Sequence, residues 1–264
     1  MLMDQGNLNG PETLTTLAAE PILSAALLRQ ASSASSGQSR QVSSIVNALM
    51  VLGCKGAKAA AQTMLLREFT ASRSASKTFQ ADRFVSHSTY VAFMAKCLFD
   101  VGRARGNSNS ELTPDEVFTL GVVHELPLAS LAFVRPDVFD NVYLHAVENR
   151  TVLASSFRAL YSSPIDVLVE ASLERWELPT KFSSLICEAA SDEPGQDLDF
   201  AVQCLRIADQ LAIEDRYPVV AQKRVQGKDE VFEFNTFCSP EELDNLRQSV
   251  QAWTVQTMMQ VRAA

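Results

Sequence analysis

Apolar residues recur at intervals of three and four along most of this chain, a spacing typical of amphipathic helices. The clearest stripe predicts a helix over residues 81–102, and its members are Phe84, His87, Val91, Met94 and Leu98. Similar spacing predicts a helix from Pro21, an alanine-rich helix over 55–68, and helices at roughly 136–148, 151–161, 164–176, 179–190 and 198–215. Helical periodicity is therefore the dominant signal of the sequence.

Capping residues mark where several of these helices begin and end. Thr113, Pro114 and Glu116 have the pattern of a capping box with proline at the first helical position. Pro127 disfavours helical geometry at the residue before it, so this helix is predicted to end near the His124–Glu125 pair. The other predicted start and stop signals are Ser44, Gly53, Ser163 with Asp166, Pro179, and Ser239 with Glu242.

Only one stretch has the character of β-strands, the sequence VVAQKRVQGKDEVFEF near residues 219–235. It predicts either one short β-hairpin or a loop. The sequence contains no internal repeat. We therefore predict an all-α fold, a compact multi-helix bundle that forms a single domain over residues 12–250. Residues 1–11 are predicted to be a flexible N-terminus, and 251–264 the end of a C-terminal helix.

Composition and charge argue against a nucleic-acid-binding protein. Of the 264 residues, 47% are hydrophobic and 20% are charged, which is ordinary for a globular protein. The net charge is −8 and the pI is about 5.0. A chain without a broad positive field does not attract phosphates, so we expect no nucleic-acid partner.

Cysteine usage and the apolar runs indicate a cytoplasmic protein. The five cysteines are odd in number and none lies in a CxxC motif, a pattern explained by buried free thiols in a reducing compartment. No apolar run is expected to approach the roughly 18 residues of a membrane helix. The N-terminal MLMDQGNLNG lacks the charged and apolar regions of a signal peptide. We therefore expect no membrane association.

Seven segments in a fixed order resemble the HDOD domain, a degenerate relative of the HD phosphohydrolases that serves in signalling. They are EPILSAALLRQASSA, SSIVNALMVLG, HSTYVAFMAKCL, GVVHELPLA, LERWELPTKF, LRIADQLA and SPEELDNL. The resemblance extends from about Thr13 to about Val250, nearly the whole chain. It implies an HD-like helical bundle and a role in bacterial regulation.

The resemblance also implies a place for a metal. HD phosphohydrolases bind metal through a histidine, an adjacent His-Asp pair and a later aspartate. The matching residues here are His87, the pair His124 and Glu125, and Asp209. Neutral imidazoles and carboxylates suit one divalent cation, which would acidify a bound water and polarise a phosphate oxygen.

Three departures from the enzyme pattern argue against catalysis. Glu125 stands where the enzymes have aspartate, and its extra methylene moves the carboxylate by ~1.5 Å. The segments SSPID and ICEAASDE lack the later histidines of the enzymes, and no histidine follows His145, which excludes a two-metal site. Pro127 stands where a glycine often follows the pair. The resemblance thus implies four vestigial metal positions, no catalytic residue and no cofactor.

Two interpretations of these four residues stay open in the sequence. They could still hold one divalent metal, or they could form a polar core in which buried groups satisfy one another. In the second case His87 would bond to a carbonyl oxygen or to Asp209. His145 matches no position of the pattern and is predicted to lie at the surface.

The leading hypothesis is a non-enzymatic regulatory protein that binds a signalling protein or a small effector. One alternative is a single-metal HD-type phosphohydrolase or phosphodiesterase. Another is a nucleotide-sensing domain without turnover, for which Arg175 or Lys181 could supply positive charge, although both are equally explained as surface residues. A homodimer could form through the apolar stripe of the last helix, which otherwise packs on the bundle: Leu243, Leu246, Val250, Trp253, Val255 and Met258.

Overall fold

The computed structural model describes residues 20–34, 42–53, 56–57, 60, 76–107, 109–151, 153–191, 197–218 and 238–263. The helices are α1 (Pro21–Ala34), α2 (Ala81–Ala104), α3 (Pro114–Val123), α4 (Leu126–Val134), α5 (Pro136–Asn149), α6 (Leu153–Tyr161), α7 (Ile165–Arg175), α8 (Thr180–Ala190), α9 (Phe200–Glu214) and α10 (Pro240–Ala263). Residues 45–53 are helical as well. No strand occurs in the described part of the chain, and the predicted all-α fold is confirmed.

The long helix α2 is the centre of the bundle. It packs against α3, α9 and α10, so it is apolar over most of its circumference. Tyr90, Val91, Ala92, Met94 and Phe99 are all completely buried. Because α2 and α9 both lie in this interior, any polar residue on their facing sides must find a partner within the fold.

Helices α4 to α7 form a smaller lobe beside this centre. α4 packs against α5 and α7, and α6 packs against α5. Six buried side chains make up the second hydrophobic cluster: Leu128, Leu131, Ala132, Val138, Phe139 and Val142. The main cluster extends from α1 to α10, but the prediction of a single domain over 12–250 stays a prediction.

Most of the predicted helix ends are confirmed. The Thr113 hydroxyl accepts a hydrogen bond from the backbone of Glu116, and the Glu116 carboxylate accepts one from the backbone of Thr113, which completes the capping box. Ser239 and Glu242 make the same reciprocal pair at the start of α10. Gly53 ends its helix at a φ of +60°, in the left-handed region that favours glycine.

One local prediction was wrong and one helix was missed. Pro164, and not Ser163, is the N-cap of α7, and no side chain caps that helix end. The predicted helix end near His124 and Glu125 is confirmed, because α3 ends at Val123 with His124 as its C-cap. Pro127 lies in the first turn of a further helix, α4, where a missing N–H costs nothing. The chain therefore turns only at His124 and Glu125, and the sequence prediction missed α4.

The expectation about apolar runs was also wrong. The segment Pro114–Val134 is long and apolar enough, by length and composition alone, to cross a membrane. Within the fold, 67% of its apolar window is buried against other helices, and the turn between α3 and α4 interrupts it. Both features are those of a core segment of the bundle.

Several predictions lie outside the described residues. These are the hairpin or loop near 219–235, the flexible N-terminus over 1–11, and nearly all of the alanine-rich helix over 55–68. The four described cysteines, at positions 97, 187, 204 and 238, are free thiols, as the composition suggests.

Candidate metal centre

His87 lies on α2 with only 1% of its side chain exposed, and both ring nitrogens have partners. Its Nδ1 is 2.7 Å from the backbone oxygen of Tyr217, just beyond the end of α9. Its Nε2 is 3.1 Å from Oδ1 of Asp209, one of the few polar groups on α9 that face α2. The predicted contact between His87 and Asp209 is therefore present, together with a carbonyl contact.

His124 is the C-cap of α3, and its position depends on a close approach between α3 and α2. An added Cβ at Gly121 would lie 2.6 Å from the Cα of Ala92, so only glycine allows the two helices to come this near. The His124 Nδ1 is 2.7 Å from the Gly121 oxygen. Its Nε2 is 3.4 Å from the Nε2 of His87.

The two carboxylates complete the group. Glu125 follows His124 in the turn before α4, and its Oε1 is 3.8 Å from the Nε2 of His124. Asp209 comes from α9, and 42% of its side chain is exposed, so the group opens to solvent on that side. One ligand atom from each of His87, His124, Glu125 and Asp209 lies within 4.8 Å of the others. The structure therefore brings all four predicted residues together.

The tautomers of both histidines follow from their carbonyl partners. A carbonyl oxygen only accepts, so Nδ1 of His87 and Nδ1 of His124 each carry a proton and donate it. The Nε2 atoms are then the ligating atoms, and both are directed to the same point. Metal-binding histidines commonly donate their second N–H in this way, which fixes the ring and raises its basicity.

The four residues fit one divalent cation with a small adjustment. Two imidazole nitrogens bound to one tetrahedral metal at ~2.1 Å are ~3.4 Å apart, and the two Nε2 atoms here are separated by 3.4 Å. The largest separation in the group, 4.8 Å, exceeds the ~4.2 Å that two ligands span across a metal with such bonds. The most distant pair would therefore have to approach by about 0.6 Å even if its atoms lay on opposite sides of an octahedral cation.

Comparisons with known proteins identify the family of this chain. The family model of the HDOD domain matches residues 1–191, well over half of the chain. The chain belongs to the HDOD domain family. No curated protein matches this HDOD protein.

Three solved structures resemble the HDOD fold seen here. The MmoQ response regulator from Methylococcus capsulatus str. Bath superposes with a TM-score of 0.64 at 19% identity, over 88% of this chain and 86% of that one. An HDOD domain protein of unknown function from Geobacter sulfurreducens gives 0.55 at 19% identity, over 98% and 90%. A protein named provisionally as a phosphohydrolase, from Shewanella amazonensis SB2B, gives 0.52 at 15% identity, over 98% and 91%. At these identities the similarity shows the fold alone.

In the metal-free HDOD protein, the contact between His87 and Asp209 favours the charged form of both groups. Burial opposes protonation of His87, but the hydrogen bond and charge of Asp209, the charge of Glu125 and the Tyr217 carbonyl together raise its pKa above 6.5. Burial likewise opposes ionisation of Asp209, but the hydrogen bond from His87 outweighs it and lowers the pKa of that carboxyl. A proton on His87 Nε2 thus bridges to Asp209.

The other two residues of the centre, His124 and Glu125, favour their uncharged forms. Burial and the neighbouring charge of His87 lower the pKa of His124 to about 4, so its ring is neutral. Burial, with the charge of Asp209, raises the pKa of Glu125 to about 7 although the charge of His87 opposes this. Near neutral pH His124 is therefore neutral and part of the Glu125 population is protonated.

Substitution of Glu125 by glutamine is expected to change how stability depends on pH. The wild-type carboxyl binds its proton more tightly when folded, so its contribution is complete below pH 4.5 and is lost as pH rises through about 7. The shift corresponds to at most about 3 kcal/mol. Relative to wild type, Glu125→Gln should gain stability between pH 5 and pH 8 in urea unfolding of metal-free protein. If the difference in the free energy of unfolding between the two proteins stayed constant over this pH range, that result would contradict the raised pKa of Glu125.

Sequence reasoning missed the groups that support this centre. Tyr217 contributes a backbone carbonyl, which no residue type reveals, and Gly121 contributes an absent side chain. Lys181, a candidate cation for a nucleotide, instead forms an ion pair with Glu116 at 2.5 Å, while Arg175 is exposed. His145 lies outside the group, as predicted, but it is half-buried, with its Nδ1 3.2 Å from the Ser156 hydroxyl, and is not a freely exposed surface residue.

Proposed function

We propose that this HDOD protein is a non-enzymatic regulator of bacterial signal transduction, which acts in the cytoplasm by binding a protein or a small effector. The observation that carries the proposal is the polar group around His87, whose members bond to one another and to the backbone. A proton shared with Asp209 takes the place that a cation would occupy in an enzyme, so the group is satisfied without metal. Membership of the HDOD family and the resemblance to a response regulator are compatible with such a role.

Exposed apolar side chains supply surfaces for such a partner. On α10, Val250 is buried and Met258 packs against the core, but Trp253 and Val255 are exposed. The apolar stripe predicted on this helix is thus partly buried against the bundle and partly exposed. A homodimer through the exposed part is a proposal. The second lobe also exposes Leu144 and Val147 on one side of α5. Exposed apolar groups that cluster in this way are typical of interaction sites.

A hydrolysis assay tests the non-enzymatic proposal. We expect no turnover of cyclic or linear nucleotides, or of a model phosphodiester, above the level of the His124→Ala variant in the presence of Mn²⁺ or Mg²⁺. The reason is that Glu125 stands where the HD enzymes carry aspartate, that a pKa of about 7 leaves it partly protonated near neutral pH, and that the described residues offer a place for one cation. Turnover by wild-type protein that disappears in His124→Ala would contradict the proposal.

A second candidate function is that of a single-metal phosphohydrolase, and the convergent Nε2 atoms of His87 and His124 favour it. His87, His124, Glu125 and Asp209 would hold the cation, which would acidify a water and polarise a phosphate oxygen. Metal analysis of protein purified without chelator, by plasma mass spectrometry, separates the two candidates. Near-stoichiometric metal, with hydrolysis that increases in Glu125→Asp, would favour the enzyme. Little metal in both the wild-type protein and Glu125→Asp would favour the non-enzymatic regulator.

A further inference from the structure

The C-terminal helix α10 is fixed to the bundle by the carboxylate of Asp215, the C-cap of α9. The Asp215 side chain is buried and accepts from the Arg247 guanidinium of α10, with Nε 3.1 Å from Oδ1. The Tyr90 hydroxyl of α2 donates to the same carboxylate. Three helices thus meet at one acidic side chain.

The same short turn also reaches the metal centre. Two residues after Asp215, the Tyr217 carbonyl accepts the Nδ1 proton of His87 at 2.7 Å. The Tyr217 ring stacks on Tyr90, with centroids 5.0 Å apart. The turn 215–217 therefore contacts the centre through one residue and α10 through another.

Arg216, between these two residues, has a φ of +69° in the left-handed region. This conformation is common at the residue that follows a helix, where backbone hydrogen bonds to the last turn hold it. The backbone N–H of Tyr217 bonds to the Ala212 oxygen at 2.7 Å, and the other fixing contacts come from His87 on one side and Arg247 on the other. Loss of either set should let the turn relax and weaken the other set.

Helix α10 contacts the bundle through few buried side chains, which makes its position sensitive to the contacts of the turn 215–217. Of the side chains described on this 24-residue helix, Val250, Thr254 and Thr257 are fully buried and most others are exposed. A helix held by so small an apolar face depends on its polar anchors. Two ion-pair anchors to the bundle are Arg247 with Asp215 and Glu242 with Arg105.

We propose that the turn 215–217 couples the candidate metal centre to α10. A proton or a cation that fixes the positions of His87 and Asp209 then also strengthens the docking of the C-terminal helix. The coupling deepens the proposed regulatory function, on which it rests for its biological role. It is reciprocal, because linkage between two sites acts equally in both directions. Arg247 and Tyr90 are positioning residues in this scheme.

The first test follows the histidine rings by NMR in metal-free protein, because the chain has only three histidines. In Arg247→Gln we expect the ring ¹⁵N resonances of His87 and His124 to shift while those of His145 stay. The matched control is Arg105→Gln, which removes the other α10 ion pair, 2.7 Å long, without touching the turn. Unchanged rings in Arg247→Gln, or equal shifts in both variants, would overturn the proposal.

The second test runs in the opposite direction and measures hydrogen exchange along α10. Asp209→Asn removes a charge at the centre and should speed exchange within 240–263 by about fivefold or more, the lower end of ordinary coupling. The matched control is Asp140→Asn, which neutralises another carboxylate that accepts hydrogen bonds from Ser76 and Thr78 and should leave hydrogen exchange in α10 unchanged. Equal exchange in the two variants would overturn the proposal.

A milder variant guards against loss of the fold. If Arg247→Gln unfolds, Tyr90→Phe removes only the hydroxyl bond to Asp215 and should move the same two histidine rings by a smaller amount. Neither readout requires metal or turnover. Failure of the coupling is therefore distinct from failure of the proposed function, which the hydrolysis assay decides separately.

Discussion

Replacement of Gly121 by alanine is expected to lower the free energy of unfolding by about 3 kcal/mol, the upper end of ordinary overpacking. The new Cβ would lie 2.6 Å from the Cα and 3.0 Å from the backbone nitrogen of Ala92. Backbone atoms inside a buried helix cannot rotate away, so α2 and α3 must separate. Because His87 and His124 lie on those two helices, their Nε2 atoms should move apart from 3.4 Å. Urea unfolding and a crystal structure of the variant measure the two effects.

The double variant Gly121→Ala with Ala92→Gly provides the control. Removal of the Ala92 methyl relieves only the 3.3 Å contact and leaves both shorter backbone contacts in place. The double variant should therefore stay at least as unstable as Gly121→Ala. Recovery of wild-type stability would mean that the methyl, and not the backbone, limits the approach of the helices.

Glu116→Gln is expected to cost about 2 kcal/mol at neutral pH. The buried Glu116 carboxylate accepts bonds from Ser43, from Thr113 and from Lys181, and it thereby joins the segment before helix 45–53 to α3 and α8. Burial opposes its ionisation, but Lys181 and Ser43 outweigh burial and lower the pKa of Glu116 to about 2. The full shift corresponds to ~3 kcal/mol, and the partial exposure of Lys181 reduces that figure.

The pH dependence gives this prediction its sign. A carboxyl with a lowered folded pKa adds stability that is complete above its ordinary pKa of 4.5 and is lost as pH falls toward about 2. The difference in the free energy of unfolding between wild type and Glu116→Gln should therefore decrease as urea unfolding is repeated from pH 6 down to pH 3. The exposed Glu111, two residues before Thr113, offers a matched control, and Glu111→Gln should change stability by less than ~0.5 kcal/mol. A gap that stays constant on acidification would exclude the ion pair as its source.

Gly121 and Glu116 show that the candidate metal centre depends on residues that provide no ligand atom to it. Gly121 sets the distance between the histidine helices, and Glu116 fixes the start of α3, the helix that ends at His124. The presence of the four residues is explained by packing as well as by metal binding, since the same contacts that would serve a metal also satisfy buried polar groups. The coupling to α10 would give that polar group a regulatory use.

The sequence by itself determined the elements and the family. Apolar spacing located the helices, and local chemistry placed the start of α3 at Thr113 and of α10 at Ser239, because a cap and its helix are neighbours in the chain. The order of the family segments also picked out all four residues of the centre. Failures at this level were local: the helix end before Pro127 was predicted correctly, but Pro127 also lies in the first turn of α4, which the sequence prediction missed.

Only the tertiary structure decided what those four residues can do. The tautomers depend on carbonyl oxygens of Gly121 and Tyr217, and every residue type has such an oxygen, so sequence gives no signal for them. The closeness of His87 and His124 depends on how near two helices approach, and the pairing of Lys181 with Glu116 depends on contacts 65 residues apart. The physical reason is that periodicity and capping act within a few residues, whereas burial, distance and charge act between segments that only the fold brings together.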